Sequence, residues 1–482
     1  MVEGIRGKDR FEYSASAAVS DGTDVLVAGG GTAGVVAAIA AARTGARVLL
    51  VEAGGFLGGM MTAGNAGLTT YIVHEKDPGG REALMADLGS RPESVHVVGG
   101  IPMEITRRLA AQGAATLTGG QPGAYVFTSQ GEFKILLLEL AQEAGVRILF
   151  HSNLVEVHRE RDRISGVLVQ NKSGTRWVPA GQFIDATGDG DLAAFAGVPF
   201  FKGVGPEDQV YEENKGTLGA MGQMGVMYRV ANVDVDRLFD HLRAVPDAFQ
   251  AQRVAGQGLE EAHRNARAGD MACFVVRVEG LGGVQFYNSP IPGVFTVCCP
   301  CCPGDGTSAD DLSEAEVRLA QEVRRYATTL RERLPGFEKA FILDVPEAGV
   351  RETRHIYGEY LLTLKDILLM TDFGDSIGRG SHPVDIKPVP SYLRDTELPS
   401  RFHFHIPFRS LLARGVENLL LAGRCVSCTH EASGCMRVTI QCMVTGQAAG
   451  TAAALCIQKK ADPRQLSIPD IRKRLTLDGA IL

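Results

Sequence analysis

The sequence predicts an α/β protein: a Rossmann-like domain built from both ends of the chain, with an inserted α+β substrate domain. Three observations predict it. A short apolar strand, a glycine turn, an alanine-rich helix and a second apolar strand follow one another within residues 24–51. An apolar strand, a glycine and a Gly/Ala-rich helix return at 418–455. Between about 200 and 401 the texture changes to longer polar loops with Pro and Gly clusters, the mark of a separate unit.

Bulk properties narrow the class. A chain of 482 residues is too long for one ordinary core, and 45% hydrophobic with 22% charged residues is a globular balance. Lys and Arg number 49 against 56 Asp and Glu, so a net charge of −7 leaves no footprint for nucleic acid. The first 22 residues lack the apolar core of a secretory signal, and a cytoplasmic location is expected. Arg43, Arg47 and five glycines interrupt the apolar stretch 25–51, so no membrane span is expected there. Ten cysteines in this context imply reduced thiols and not a disulfide scaffold.

Element by element, residues 24–28 read as a strand, the helix runs to Arg43 with Gly45 as its stop, and Arg47 to Val51 is a parallel second strand. A helix from Glu132 through Leu136, Leu140 and Ala144 ends at Gly145 and feeds a strand at 146–150. Residues 153–159, 164–171 and 175–179 alternate as a meander, and Phe183 to Thr187 returns as a separate apolar strand. In the middle region one helix is well marked: Ser313 and Glu316 as capping box, Leu312 and Val317 as staple, a stripe through Val323, Tyr326 and Leu330, and Pro335 as stop. The expected division is 21–75, 131–200 and 402–460 for the nucleotide domain, 76–130 as an insertion or cap, 201–401 as the substrate domain, and 461–482 as a tail.

Gly29-x-Gly31-x-x-Gly34 stands between strand and helix, where absent side chains permit a tight turn, close approach of a pyrophosphate and close helix packing. The N–H groups of Thr32 and Ala33 would face the phosphates. Glu52, followed by Ala53, ends the second strand eighteen residues past Gly34, where a carboxylate can accept from a ribose diol. This fingerprint alone does not separate FAD from NAD.

The residues that follow carry a resemblance. Leu57-Gly58-Gly59-Met60 with Thr62 and Gly64, then Ala186-Thr187-Gly188, and finally Ala422-Gly423-Arg424, His430, Arg437 and Gly446-Gln447-Ala448-Ala449-Gly450 together resemble the FAD-dependent oxidoreductases, flavoproteins distantly similar to the fumarate reductase flavoprotein. The resemblance implies FAD as cofactor. It implies that Gly58 and Gly59 let the chain pass along the flavin ring, that Val155 meets the adenine, and that Ala186 to Gly188 approach the dinucleotide. A helix beginning near Thr445 would aim its positive end at the flavin. Family segments also surround Arg351, Arg354, Tyr360, His405 and Arg409, while Lys387 stands where the family commonly has His.

The expected catalytic surface is His430 for proton transfer, Arg437 holding substrate or flavin charge, Arg351 and Arg409 contributing from the inserted domain, and His405 beside them. No metal is expected, since no histidine pair has ligand spacing, and the Gly-x-Ser-x-Gly elbow of serine hydrolases is absent. Cys298-Cys299-Pro300-Cys301-Cys302 matches no standard metal motif and reads first as packing. The leading function is hydride transfer between FAD and a small-molecule substrate. A flavin-dependent thiol/disulfide protein using the cysteine cluster, and a flavoprotein with structural FAD, are the alternatives. The electron acceptor, the substrate's identity, the direction of reaction and any homo-oligomer are left open.

Overall fold

A computed structural model describes residues 16–75, 78–210, 216–252, 254–386 and 398–482. β1 (Thr23–Ala28) is fully buried from Val25 onward, as a central parallel strand must be. α1 (Thr32–Arg43) has buried residues at every position from Ala33 to Ala41, and such a helix belongs inside a core. β2 (Val48–Val51) pairs parallel with β1, Val25 opposite Val48. A helix at Pro78–Ser90, then α2 (Gly100–Ala111) and α3 (Gln130–Glu143), precede β3 (Arg147–Leu149), which extends the sheet beyond β2. β4 (Asn153–Glu160), β5 (Arg163–Asn171) and β6 (Gly174–Asp185) then form the meander.

The expected break between 175–179 and 183–187 is absent, because β6 is one strand with two sets of partners. Up to Pro179 it lies antiparallel to β5, and from Ala180 it runs parallel to β1. Pro179 has no N–H to give, and a change of ladder partner is a place where that loss is tolerated.

The middle of the chain folds around its own six-stranded antiparallel sheet: β7 (Met224–Ala231), β8 (Phe249–Ala251), β9 (Cys273–Val278), β10 (Gly282–Asn288), β11 (Phe295–Cys302) and β12 (Phe341–Asp344), in the order β8-β9-β10-β11-β7-β12. Phe239, Phe274, Phe286, Phe295 and Phe337 fill its core under α4 (Ala309–Arg333). The start of α4 corrects the sequence reading. Ser308 is the N-cap, accepting from the Asp311 N–H, so the helix begins more than one turn before Ser313. Ser308-x-x-Asp311 and Ser313-x-x-Glu316 are overlapping start signals, and the earlier one wins because it adds a hydrogen-bonded turn. Ser313 instead donates to the Ala309 carbonyl, Glu316 accepts from Ala348, and Val317 is 60% exposed and staples nothing.

The chain then returns to the first sheet. β13 (Leu419–Leu421) pairs parallel with β6, so Phe183 has Leu26 on one side and Leu419 on the other. α5 (His430–Met436) and α6 (Thr439–Lys459) follow. α6 begins at Thr439, not near Thr445. The preceding residues Thr439 to Met443 are buried and contain no breaker, so the helix extends through them. Among the described residues α6 alone is long and apolar enough to cross a membrane, yet 89% of its apolar window is buried inside this fold. It lies directly on α1: a Cβ on Gly446 would stand 2.3 Å from the Ala33 carbonyl oxygen, and one on Gly450 would stand 2.1 Å from that of Ala37.

Candidate functional site

The nucleotide end is made of bare backbone. Gly29 has φ +90°, and a Cβ there would stand 2.5 Å from the Ala186 carbonyl oxygen. At Gly34 a Cβ would fall 1.8 Å from the Gly29 oxygen, so this glycine closes the turn onto the helix. Gly31 is different: a Cβ there would meet only the Gly59 Cα, at 3.9 Å, and otherwise open space. Gly31 is also the N-cap of α1 and no side chain caps that helix, which leaves the first-turn N–H groups of Thr32 and Ala33 available to an anion. Glu52 is drawn to the same loop, one carboxylate oxygen accepting from Gly30 N and the other from Gly54 N, both at 2.6 Å. Ala53 beside it is exposed.

Gly58 and Gly59, both with positive φ, bring a second strip of main chain against the first: Gly58 N donates to the Gly30 carbonyl at 2.9 Å, and Thr32 Oγ1 donates to that of Gly58. Thr62, 3% exposed, donates to the Leu57 carbonyl and so holds the turn. Met60 reaches the inserted domain, where its Cε stands 2.9 Å from the Cβ position of Gly349. Val155, 42% exposed, follows Ser152, whose N–H bonds the Glu52 carbonyl. That places it at the ribose end of the loop. On the other flank Ala186 N donates to Ala28, Thr187 is fixed by Asp185, and Gly188 leaves room for the Arg424 guanidinium, which pairs with Asp189 at 2.8 Å. Burial pushes the Asp185 carboxyl up to about 6, against the hydrogen bonds it accepts from Ala193 and Thr187. Gly423 N donates to Thr445 Oγ1.

The glycine cradle, uncapped helix and tethered carboxylate fit FAD. Gly446, Gln447 and Ala448 do not belong to the cradle's surface as expected from the sequence. They lie past the first turn of α6, with Gly446 against α1, Gln447 Oε1 accepting from Ile101 N, and Ala448 fully buried. Their small size serves helix packing, and the end of α6 that presents free N–H groups is at Thr439.

A second group of side chains gathers where the inserted domain meets α5 and α6. His430 opens α5, N-capped by Thr429, and its Nδ1 lies 2.6 Å from Glu352 Oε1. His355 Nε2 shares that oxygen at 2.7 Å, while Glu352 Oε2 accepts from Gly222 N at 2.6 Å. All three side chains are at least nine-tenths buried. Burial opposes the charge on Glu352 and on His430, but the contacts prevail. His355 and His430 hold the Glu352 carboxyl well below the usual carboxylate range, and Glu352 holds the His430 imidazole above its ordinary value. No described protein group bonds His430 Nε2.

Arg437 donates to Asp385, and burial lowers its pKa. Arg351 donates to the Gln223 carbonyl at 2.7 Å and has no carboxylate partner among the described residues. Its guanidinium and Cys301 Sγ both crowd the bare Cα of Gly225. Burial opposes its charge, but Cys301, Cys298 and Asp385 together keep its pKa raised. A bulge in the β7–β11 pairing, where Gly225 and Met227 oppose Cys301 and Cys298, lets these two cysteines lie toward Arg351 while Cys302 enters the domain core. The described cysteines are free thiols. Among the described residues no three His, Cys, Asp or Glu side chains group as metal ligands.

Two expected members stand apart. Phe404 and Ile406 point into the core, so His405 between them faces the other way, bonded to Ser376, with Arg379, Asp372, His403 and Arg472 as its charged neighbours. Arg409 is 49% exposed, paired with Asp375 and lying over Tyr360. Arg354 pairs with Asp191 and donates to the Asp189 main-chain carbonyl, and Tyr360 donates to Asp366, so both are engaged elsewhere. Lys387 lies outside the described residues. Glu352 was missed. It lies within the family-like segment around Arg351, but only the fold brings it to a histidine seventy-eight residues on.

This arrangement, a glycine main-chain cradle beside a buried histidine–carboxylate pair, is that of a dinucleotide-binding oxidoreductase. The chain belongs to the FAD dependent oxidoreductase family, whose sequence model matches residues 24–475, and FAD is its cofactor. Similar solved structures include a geranylgeranyl bacteriochlorophyll reductase-like protein from Thermoplasma acidophilum (14% identity, TM-score 0.42, covering 95% of this chain and 83% of that one). They also include p-nitrophenol 4-monooxygenase from Pseudomonas putida (13%, 0.43, 96% and 86%) and a flavin-dependent brominase (11%, 0.46, 95% and 84%). No curated protein matches the sequence.

Proposed function

We propose that this enzyme transfers a hydride between FAD and a small organic anion, with His430 moving the accompanying proton. FAD supplies the two-electron chemistry. The observation that carries the reading is the Glu352–His430 pair: Nδ1 is engaged at 2.6 Å and Nε2 has no partner among the described residues. A carboxylate on one ring nitrogen fixes the orientation of the imidazole and strengthens the other nitrogen as a base. Nε2 thus takes a proton when substrate is oxidised and returns it when substrate is reduced. An anionic substrate is favoured because Arg351 and Arg437 bring two half-buried guanidiniums near Asp385, and Arg351 forms no ion pair with a carboxylate among the described residues. A buried charge without a counter-charge is costly, and a bound anion supplies one.

Anaerobic bleaching of the flavin by a panel of organic acids identifies the reductant. With that substrate, His430→Ala should retain FAD and slow flavin reduction by roughly 10² to 10⁴-fold, the usual range for general acid–base catalysis. A variant reduced at the wild-type rate removes His430 from the mechanism.

A further inference from the structure

The backbone of His430 leads to a second buried pair that the proton transfer above does not use. His430 N donates to Asp208 Oδ2 at 3.3 Å, and Gly205 N donates to the same oxygen at 2.8 Å. Asp208 and Glu431 are both 0% exposed, and after burial Asp208 is the group that acts most strongly on the Glu431 carboxyl. Two carboxyls in contact away from water cannot both be ionised at modest cost.

The surrounding groups do not relieve them. From α5 itself comes His430, and from the segment before it Cys428, a thiol kept neutral by burial, then by Glu352 and Asp208. From the inserted domain come Glu352, His355 and Tyr357, whose hydroxyl burial and then Glu207 push up to about 12. The two histidines are already bound by Glu352.

We propose that Glu431 is a neutral carboxylic acid at physiological pH, donating to Asp208, and that this one-proton pair is the positioning element that clamps the start of α5 and aims His430. The role in aiming rests on His430 acting as the proton carrier; the neutral carboxyl does not. Burial first, and then Asp208, push the Glu431 carboxyl up to about 8. Its unfolded value is about 4.3. The folded protein therefore holds a proton that the unfolded chain releases, and the stability this contributes, full below about 4.3, is lost as pH rises through about 8.

The test uses the flavin-loaded protein. At pH 7 the infrared spectrum should contain a neutral-carboxyl band that Glu431→Gln removes. Between pH 5 and 8 the unfolding midpoint should fall more steeply for wild type than for Glu431→Gln, which keeps a donor toward Asp208 but does not titrate. Absence of that band, or identical pH profiles, overturns the assignment whatever His430 does. For the positioning role, Glu431→Leu should reduce flavin on the order of 10 to 100-fold more slowly, the scale of a small misplacement, with Glu431→Gln restoring most of the rate. Equal rates for Glu431→Leu and wild type overturn the clamp while leaving the His430→Ala result to stand on its own.

Discussion

Along α1 and α6 the main chain of one helix touches the other through Gly446 and Gly450, whereas in the six-stranded sheet the elements meet through rings: Phe274 on Phe286 at 5.8 Å, Phe286 on Phe337 at 5.5 Å, Phe239 on Phe274 at 5.2 Å. The two regions are comparably buried but differ in what they tolerate. Where backbone meets backbone no side chain can yield, so even a methyl group has nowhere to go. Where rings meet, a neighbour can turn or a chemically similar group can fill the volume. The nucleotide end adds a third case, main chain that faces open space because a ligand belongs there.

Three substitutions sharpen or break that comparison. Gly31→Val should have the largest effect on function and almost none on folding. Its side chain enters the open space in front of α1, so flavin content should fall by more than about tenfold while the thermal midpoint of the apoprotein stays near wild type. A variant purified yellow with full FAD occupancy would refute the placement of the phosphates at this loop. Gly450→Ala should leave the cofactor contacts alone yet lower stability by about 1–3 kcal/mol or more, the cost of overpacking, read from denaturant midpoints. Phe286→Leu, though it changes far more volume, should cost less than about 1.5 kcal/mol if the ring cluster repacks. If Phe286→Leu proves the more damaging of the two, the contrast between rigid and adaptable contact is wrong.

This contrast also explains what could be read from the sequence. Gly29, Gly31, Gly34, Gly58 and Gly59 are visible because their role is set by the absence of a side chain, and no other residue serves. The α/β order and the return of the chain to the first sheet follow from apolar runs and glycine stops. The start of α6 was misread because Gly/Ala richness at 445–450 reports contact with α1, not the beginning of a helix. Strand alternation tells that His405 faces opposite Phe404, but not that this face carries Ser376 and lies away from the His430 group. Glu352 sits in a family-like segment that points to its arginine neighbours, and Asp208 carries no local signal. Their meaning lies in distances to His430 and Glu431 that only the tertiary fold creates.

The central strand β6 also sets a timetable. Phe183 is held between Leu26, made early, and Leu419, made late. During synthesis at about 5–20 residues per second, the flank of β6 reserved for β13 waits roughly 10 to 50 s for its partner to leave the ribosome. Through that interval an apolar strand edge stands uncovered and α6, which packs on α1, does not yet exist. The cofactor domain is therefore among the last parts of this chain to close, and the inserted antiparallel sheet, all of whose strands emerge before residue 345, can be finished first. An unpaired apolar edge is open to wrong pairing until β13, the second half of this sheet's pairing, arrives.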